Sequence, residues 1–196
     1  MRGCPVSVPI PHFIEAVAAA IKYLVYSVIG ASAALIGIFF VGSVGGNGDF
    51  ASGVLTPEQL AGKEGLALGI FMAMLVGFGV KAGMFPLHGW LPTAHPVAPA
   101  PASALLSGLI AKAGILAVAR LVYYSAGPEL LRGSWVQTVW MCLALLTVFM
   151  GSMMAWREKI LKKRLAYSTV SQLSYIMLGL SLLCDDGLRG ALLHAA

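Results

Sequence analysis

Two lysines stand alone inside apolar runs of this sequence. Lys81 lies in GFGVKAGMF and Lys112 in GLIAKAGIL. Between them runs a connector holding Pro86, Pro92, Pro96, Pro99 and Pro101, together with His88 and His95. An amine in a bilayer is costly and seldom placed there without a task; ionisable groups at that depth carry protons or pair with one another. Histidine relays protons near neutral pH. The chemistry these residue types support is proton transfer, so the elements that hold them have to be identified first.

Composition sets the setting. Of 196 residues, 59% are hydrophobic and 11% charged, against about 25% charged in soluble domains. A water-soluble fold of this size would lack polar side chains for its surface. The chain reads as an integral membrane protein lying in a lipid bilayer. Its net charge of +5 then reports topology and not nucleic-acid binding. Cys4, Cys142 and Cys184 are far apart, with no CxxC or Cys/His cluster, so no metal or iron–sulfur site is expected. No glycine-rich loop follows a strand, and no nucleotide cofactor is expected. The first residues are proline-rich and lack the apolar core of a signal peptide.

The apolar runs predict an all-α polytopic bundle of about five complete transmembrane helices and the start of a sixth. The first run is Glu15 to Val41, longer than the ~20 residues a bilayer requires. A glycine-rich loop is expected over Gly42 to Gly53, and Thr56-Pro57-Glu58 has the form of a helix start. The second run, about Gly65 to Met84, should break near Lys81-Pro86, because proline removes a helical donor and disfavours helix before it. The third run goes from near Ala102 to Tyr124, the fourth from Trp135 to Trp156 and the fifth from Leu165 to Cys184. Asp185-Asp186-Gly187 reads as a turn, and Leu188 begins the sixth helix. Residues 1–12 are expected to be irregular and 13–196 to form one transmembrane domain. The 157–164 segment holds five of the thirteen Lys/Arg residues, which predicts that it is cytoplasmic. Alternation puts the connector, 85–101, on the same side, in a multi-pass cell-membrane protein.

Each candidate has two readings. Lys112 lies about ten residues, or ~15 Å, into its span, where a charged lysine costs at least ~2.5 kcal/mol. It is either a proton carrier or one half of a buried pair. Lys81 sits beside the predicted break, and broken membrane helices line ion paths. It is either a proton site or a lysine snorkelling from a helix end. Lys22, about two turns into the first span, has the same alternatives. His88 and His95 serve as relays or as structural histidines of the connector. His194 stands alone in the sixth helix. Ser168, Thr169, Ser171, Gln172, Ser174 and Tyr175 form a polar start to the fifth span.

The stretch VKAGMFPLHGWLPTAHPVAPAPASALLSG, the AKAGILAVAR run and LKKRLAYSTVSQLSYIMLGL together resemble the antiporter-like membrane subunits. These include the large membrane subunits of respiratory complex I, Mrp antiporter subunits and membrane-bound hydrogenase subunits. The resemblance covers roughly residues 13–196. It implies about fourteen helices in a full member, arranged as two inverted repeats of five, each with a broken helix. Lys81 matches the family's central lysine, Lys112 the connecting lysine, and Lys22 a lysine on the helix before the break. His194 matches the first histidine of an H-x-x-x-H pattern. The glutamate that the family pairs with its central lysine has no counterpart here, and Glu15 does not replace it. The expectation is a central fragment of such a subunit.

The function so implied is proton translocation in a redox-driven pump, with other membrane subunits as partners and no cofactor or catalytic residue in this chain. Protons would pass along Lys81, Lys112 and His194, with Lys22 as a relay member and His88, Pro86 and His95 supporting. Two alternatives stand beside it: an Mrp-type Na+/H+ antiporter subunit, and a truncated structural subunit that does not pump.

Overall fold

The computed structural model describes residues 10–45 and 62–195, and among these every regular element is helical. Helix α1 spans Ile10–Gly45, α2 Glu64–Ala82, α3 Leu91–Val97, α4 Ala100–Leu105, α5 Ala111–Arg120, α6 Pro128–Leu131, α7 Trp135–Arg157, α8 Leu161–Ser181 and α9 Asp185–Ala195. A 3-10 turn, Leu87–Trp90, leads into α3. π-helical turns, Leu106–Ile110 and Leu121–Ala126, lie on either side of α5.

Four segments are long and apolar enough to cross a membrane: Phe13–Val44, Glu64–Val97, Ala100–Tyr124 and Trp135–Arg157. Their outward residues are large and apolar. Along α1 these include Ile14, Ile21, Val28, Leu35 and Phe39, all exposed and suited to lipid. Helix α8 is long enough at 21 residues, but its Lys162-Lys163-Arg164 turn and its serines leave it less apolar than those four. It packs along α7.

Several boundaries differ from those expected. Helix α1 starts at Ile10 and runs to Gly45, so Gly42 to Gly45 belong to helix and not to the glycine-rich loop. Most of the irregular stretch expected over 1–12 lies outside the described residues, as does Thr56-Pro57-Glu58. Asp185-Asp186-Gly187 is not a turn but the first turn of α9, where acidic side chains favour the positive end of the helix dipole.

The largest correction concerns the connector, 85–101. The second run is expected to end near Met84, whereas the apolar span continues to Val97. Residues Leu87 to Val97 are helical and continue the course of α2 alongside α1 and α8. Pro92 sits in the first turn of α3, where its missing N–H costs nothing. Pro96 is inside the helix and removes one bond, a local cost that burial of Trp90, Leu91 and His95 offsets.

The break lies between Ala82 and Leu87, and its polar groups are accounted for. Gly83 takes the left-handed conformation, φ 77°, that favours glycine. Its N–H donates to Val80 O, and Met84 N–H donates to Gly79 O at 2.9 Å, which closes α2 with a Schellman cap. The Phe85-Pro86 bond is cis. Trp90 Nε1 donates to Val80 O at 2.8 Å. Phe85 N–H donates to Thr147 Oγ1 at 2.9 Å, and Thr147 is halfway along α7. The break therefore sits at mid-depth in the bundle. Thr147→Val leaves the Phe85 N–H without this acceptor, at a cost of about 1–3 kcal/mol. The complete subunit carrying it should show a lower thermal unfolding midpoint; an unchanged midpoint would show that the Thr147 bond does not hold the break.

Close helix contacts fix the rest. Gly30 on α1 and Gly77 on α2 face each other so tightly that a Cβ on either would lie 2.7–2.8 Å from the other's carbonyl oxygen. Gly114 on α5 backs onto Lys81 and Ala82 of α2. Gly151 on α7 packs on Ser171 of α8. Small residues that let membrane helices meet are the usual means of packing where lipid removes the hydrophobic drive.

Candidate functional site

Lys81 is the last residue but one of α2, two residues before the Gly83 cap. That places its ammonium at the negative end of the helix dipole, a favourable position for a cation. Its side chain turns toward α1. Nζ donates to Ser27 Oγ at 2.8 Å and to Tyr23 Oη at 3.2 Å. It also lies 4.7 Å from the centre of the Tyr23 ring, within cation–π range. Tyr23 is held in turn by Trp90, whose ring is 5.2 Å away and tilted by 56°. Tyr23 and Ser27 are four residues apart and so share one face of α1. Among the described residues, the contacts that hold this charge are hydroxyls, a ring face and backbone dipoles, all neutral.

Lys22, the neighbour of Tyr23, points along the same stripe toward α3. Its Nζ donates to Thr93 Oγ1 at 3.3 Å and lies over Gly89. Thr93 Oγ1 donates to Gly89 O. His88 stacks on Phe85, with ring centres 5.7 Å apart, and its buried Nδ1 has no hydrogen-bond partner among the described residues. His95 is 6% exposed. Its Nδ1 shares a hydrogen bond with the Ser103 hydroxyl, while Nε2 is buried with no partner among the described residues. Lys22, Lys81, His88 and Pro86 thus gather around the break, and His95 lies further along α3.

Lys112 is placed differently. Gly114, two residues on, faces α2, so Lys112 projects from another side of α5. It is exposed, and its Nζ donates to Ala195 O at 3.0 Å at the end of α9. The adjacent His194 shares a hydrogen bond of 2.9 Å between Nε2 and Gln172 Oε1, and its ring sits edge-on to Tyr175 at 5.9 Å. His194 also borders an open cavity of about 500 Å³ with Tyr175, Gly179, Gly187 and Ala191. The structure therefore brings Lys112 and His194 into one neighbourhood. It does not bring the Lys81 and Lys112 side chains together: α2 and α5 are packed, but one ammonium faces α1 and the other α9.

Sequence reasoning missed Tyr23, Ser27, Thr93 and Thr147. The available signal was a pair of hydroxyls spaced i,i+4 beside Lys22 in an otherwise apolar helix. Gln172, read only as part of a polar helix start, is the partner of His194.

Taken together, these features define a polytopic α-helical membrane subunit built around a broken helix with a lysine at the break. The chain belongs to the NADH:quinone oxidoreductase/Mrp antiporter transmembrane family, whose model matches residues 12–196. It is 36% identical over 191 residues to hydrogenase-4 component B of Escherichia coli strain K12, covering 90% of this chain and 27% of that protein. It is 34% identical over 185 residues to NADH-quinone oxidoreductase subunit N of Desulforudis audaxviator, covering 92% of this chain and 36% of that protein. Among solved structures, it resembles a chain of the Mrp complex from Dietzia sp. DQ12-45-1b with a TM-score of 0.78, 27% identity, and coverage of 91% and 32%. It resembles a chain of an archaeal membrane-bound sulfane sulfur reductase with a TM-score of 0.79, 29% identity, and coverage of 92% and 36%. The chain spans about a quarter to a third of the length of these relatives.

Proposed function

We propose that this chain carries part of a proton path in a membrane subunit of a redox-driven ion pump, of the NADH:quinone oxidoreductase or membrane-bound hydrogenase kind. The observation that carries the reading is Lys81, held at mid-bundle on a helix break by Tyr23 and Ser27. Among the described residues Lys81 is held by neutral groups, Tyr23 and Ser27, and by no ion pair. Its partners in this reading are other membrane subunits, which supply the driving reaction.

Five of thirteen Lys/Arg residues lie in 157–164, so that end of the bundle faces the cytoplasm. Lys162 Nζ reaches Ala98 O at 3.5 Å, and the end of α3 faces the same way. Protons enter between α1 and α3, where Lys22 of α1, His88 of the 3-10 turn and Thr93 and His95 of α3 supply titratable and hydroxyl groups, and reach Lys81. Transfer onward to Lys112 crosses the α2–α5 contact and runs through bridging water, because the two side chains project apart. From Lys112 the path continues past the end of α9 to His194 and Gln172.

The likeness to the Mrp complex chain supports a second reading, sodium–proton exchange, in which the same lysines carry the proton. One experiment separates the two. The complete subunit, in its own complex, is assayed for proton uptake in inverted membrane vesicles, energised first by a reductant and then by an imposed sodium gradient. Uptake under the reductant, lost to background in Lys112→Ala at normal subunit levels, is the expected result. Uptake only under the sodium gradient would replace the pump with an antiporter. Undiminished uptake in Lys112→Ala would remove that residue from the path.

A further inference from the structure

A groove of about 350 Å³ opens between the end of α7 and the start of α8. Its walls are Ser152 and Trp156 on α7, and Leu161, Arg164, Leu165 and Ser168 on α8. These residues are ordered by depth. Trp156, 78% exposed, and Leu161 stand at the rim. Arg164 and Leu165 come next. Ser152 and Ser168 lie one turn deeper, roughly 6 Å further into the bundle. The segment around the rim holds Arg157, Lys159, Lys162, Lys163 and Arg164 against one acid, Glu158.

Membrane topology alone accounts for cations in this segment. It does not by itself account for Arg164 lining a groove with no carboxylate partner among the described residues, with the Ser168 hydroxyl one turn beneath it. Helix electrostatics also disfavours three cations on the first turn of α8. That turn is the positive end of a helix dipole, and its cap, Ile160, offers no side-chain acceptor. A bound anion offsets both. The outer walls are apolar and exposed, with Leu161 at 69% and Leu165 at 59%, so the anion that fits is attached to a hydrocarbon chain. Basic pockets between membrane helices are suited to acidic headgroups, and arginine pairs with phosphate in a fork.

We propose that this groove binds the headgroup of an anionic phospholipid. Arg164 holds the phosphate, and the Ser168 and Ser152 hydroxyls lie at the depth of the glycerol esters. Trp156, Leu161 and Leu165 flank the acyl chains. Ser152 is already fixed by bonds of 2.9 Å to Val148 O and to Ser171, which ties the groove to the α7–α8 packing. The lipid then staples α7 to α8 without touching the lysines.

The test uses the complete subunit in its membrane complex, held in phosphatidylcholine nanodiscs with a minor fraction of phosphatidylglycerol. Detergent washing followed by native mass spectrometry counts the phosphatidylglycerol retained. Wild type should retain it, Arg164→Gln should weaken it about fivefold or more, and Lys159→Gln, outside the groove, should change little. Ser168→Ala should weaken it less than Arg164→Gln. If Arg164→Gln fails to assemble, Arg164→Lys, which keeps the charge and loses the fork, gives the same comparison. Equal loss in Lys159→Gln and Arg164→Gln would reduce the effect to diffuse surface charge and overturn the site. So would equal retention of phosphatidylcholine, displacement by inorganic phosphate alone, or no retained lipid in wild type.

Discussion

Lys81→Arg in the complete subunit should abolish proton uptake while leaving the subunit assembled at normal levels. Arginine keeps the positive charge at the end of α2 and can still donate to Ser27 and Tyr23. What it loses is the capacity to give up a proton, since guanidinium stays charged in proteins. A role confined to charge or packing would survive this change. A role as proton carrier would not, and the loss should be about a hundredfold or more, the scale of a removed proton-transfer group. Lys81→Ala should be equally inactive, because alanine neither carries a charge nor reaches α1. Uptake near the wild-type rate in Lys81→Arg, measured in inverted vesicles, would show that Lys81 holds the break together and moves no proton.

Gly77→Leu should cost the fold itself. A Cβ at Gly77 would lie 2.7 Å from Gly30 O and 2.9 Å from Ala34 N, both backbone atoms that have no rotamer to yield. The side chain then has to push α1 off α2 at a level one turn from Lys81. Overpacking of this kind typically costs 1–3 kcal/mol, and about the upper end or beyond applies where backbone must move. The same displacement carries Tyr23 and Ser27 away from Lys81, so uptake should fall along with subunit level. Gly69→Ala is the control. Nothing lies within 4 Å of a Cβ there, and alanine favours helix over glycine by about 1 kcal/mol. Quantitative immunoblotting and thermal melting of the complete subunit read both changes. Equal stability of Gly77→Leu and Gly69→Ala would show that the α1–α2 contact is not rigid.

The sequence made the helices legible wherever an apolar run had no competing signal, as in α5 and α7. It failed where local chemistry and tertiary packing disagree. The connector's prolines argue for loop, yet Trp90, Leu91 and His95 are buried against α1 and α8, and that burial keeps α3 helical. Gly42 to Gly45 argue for loop as well, yet Val41 and Val44 pack on the core and prolong α1. Asp185-Asp186-Gly187 has the composition of a turn, yet its acids stand at the positive end of α9, where they favour helix. For the site, the positions of Lys81 and Lys112 were legible because charge in an apolar run is conspicuous. Their directions were not. Which way a lysine points depends on which neighbour leaves room, and Gly114 closes one side of α2 while Tyr23 and Ser27 open the other.

The cradle around Lys81 also bears on the proton transfer proposed for it. A lysine bound to a buried carboxylate leaves an uncompensated anion behind when it is neutralised, a penalty of several kcal/mol. Hydroxyls leave none. Ser27 and Tyr23 accept from the ammonium, and the same two groups can rotate and donate to the lone pair of the neutral amine. Among the described residues, the groups around this nitrogen therefore suit its protonated and its neutral form alike, and two O–H bonds turn between them.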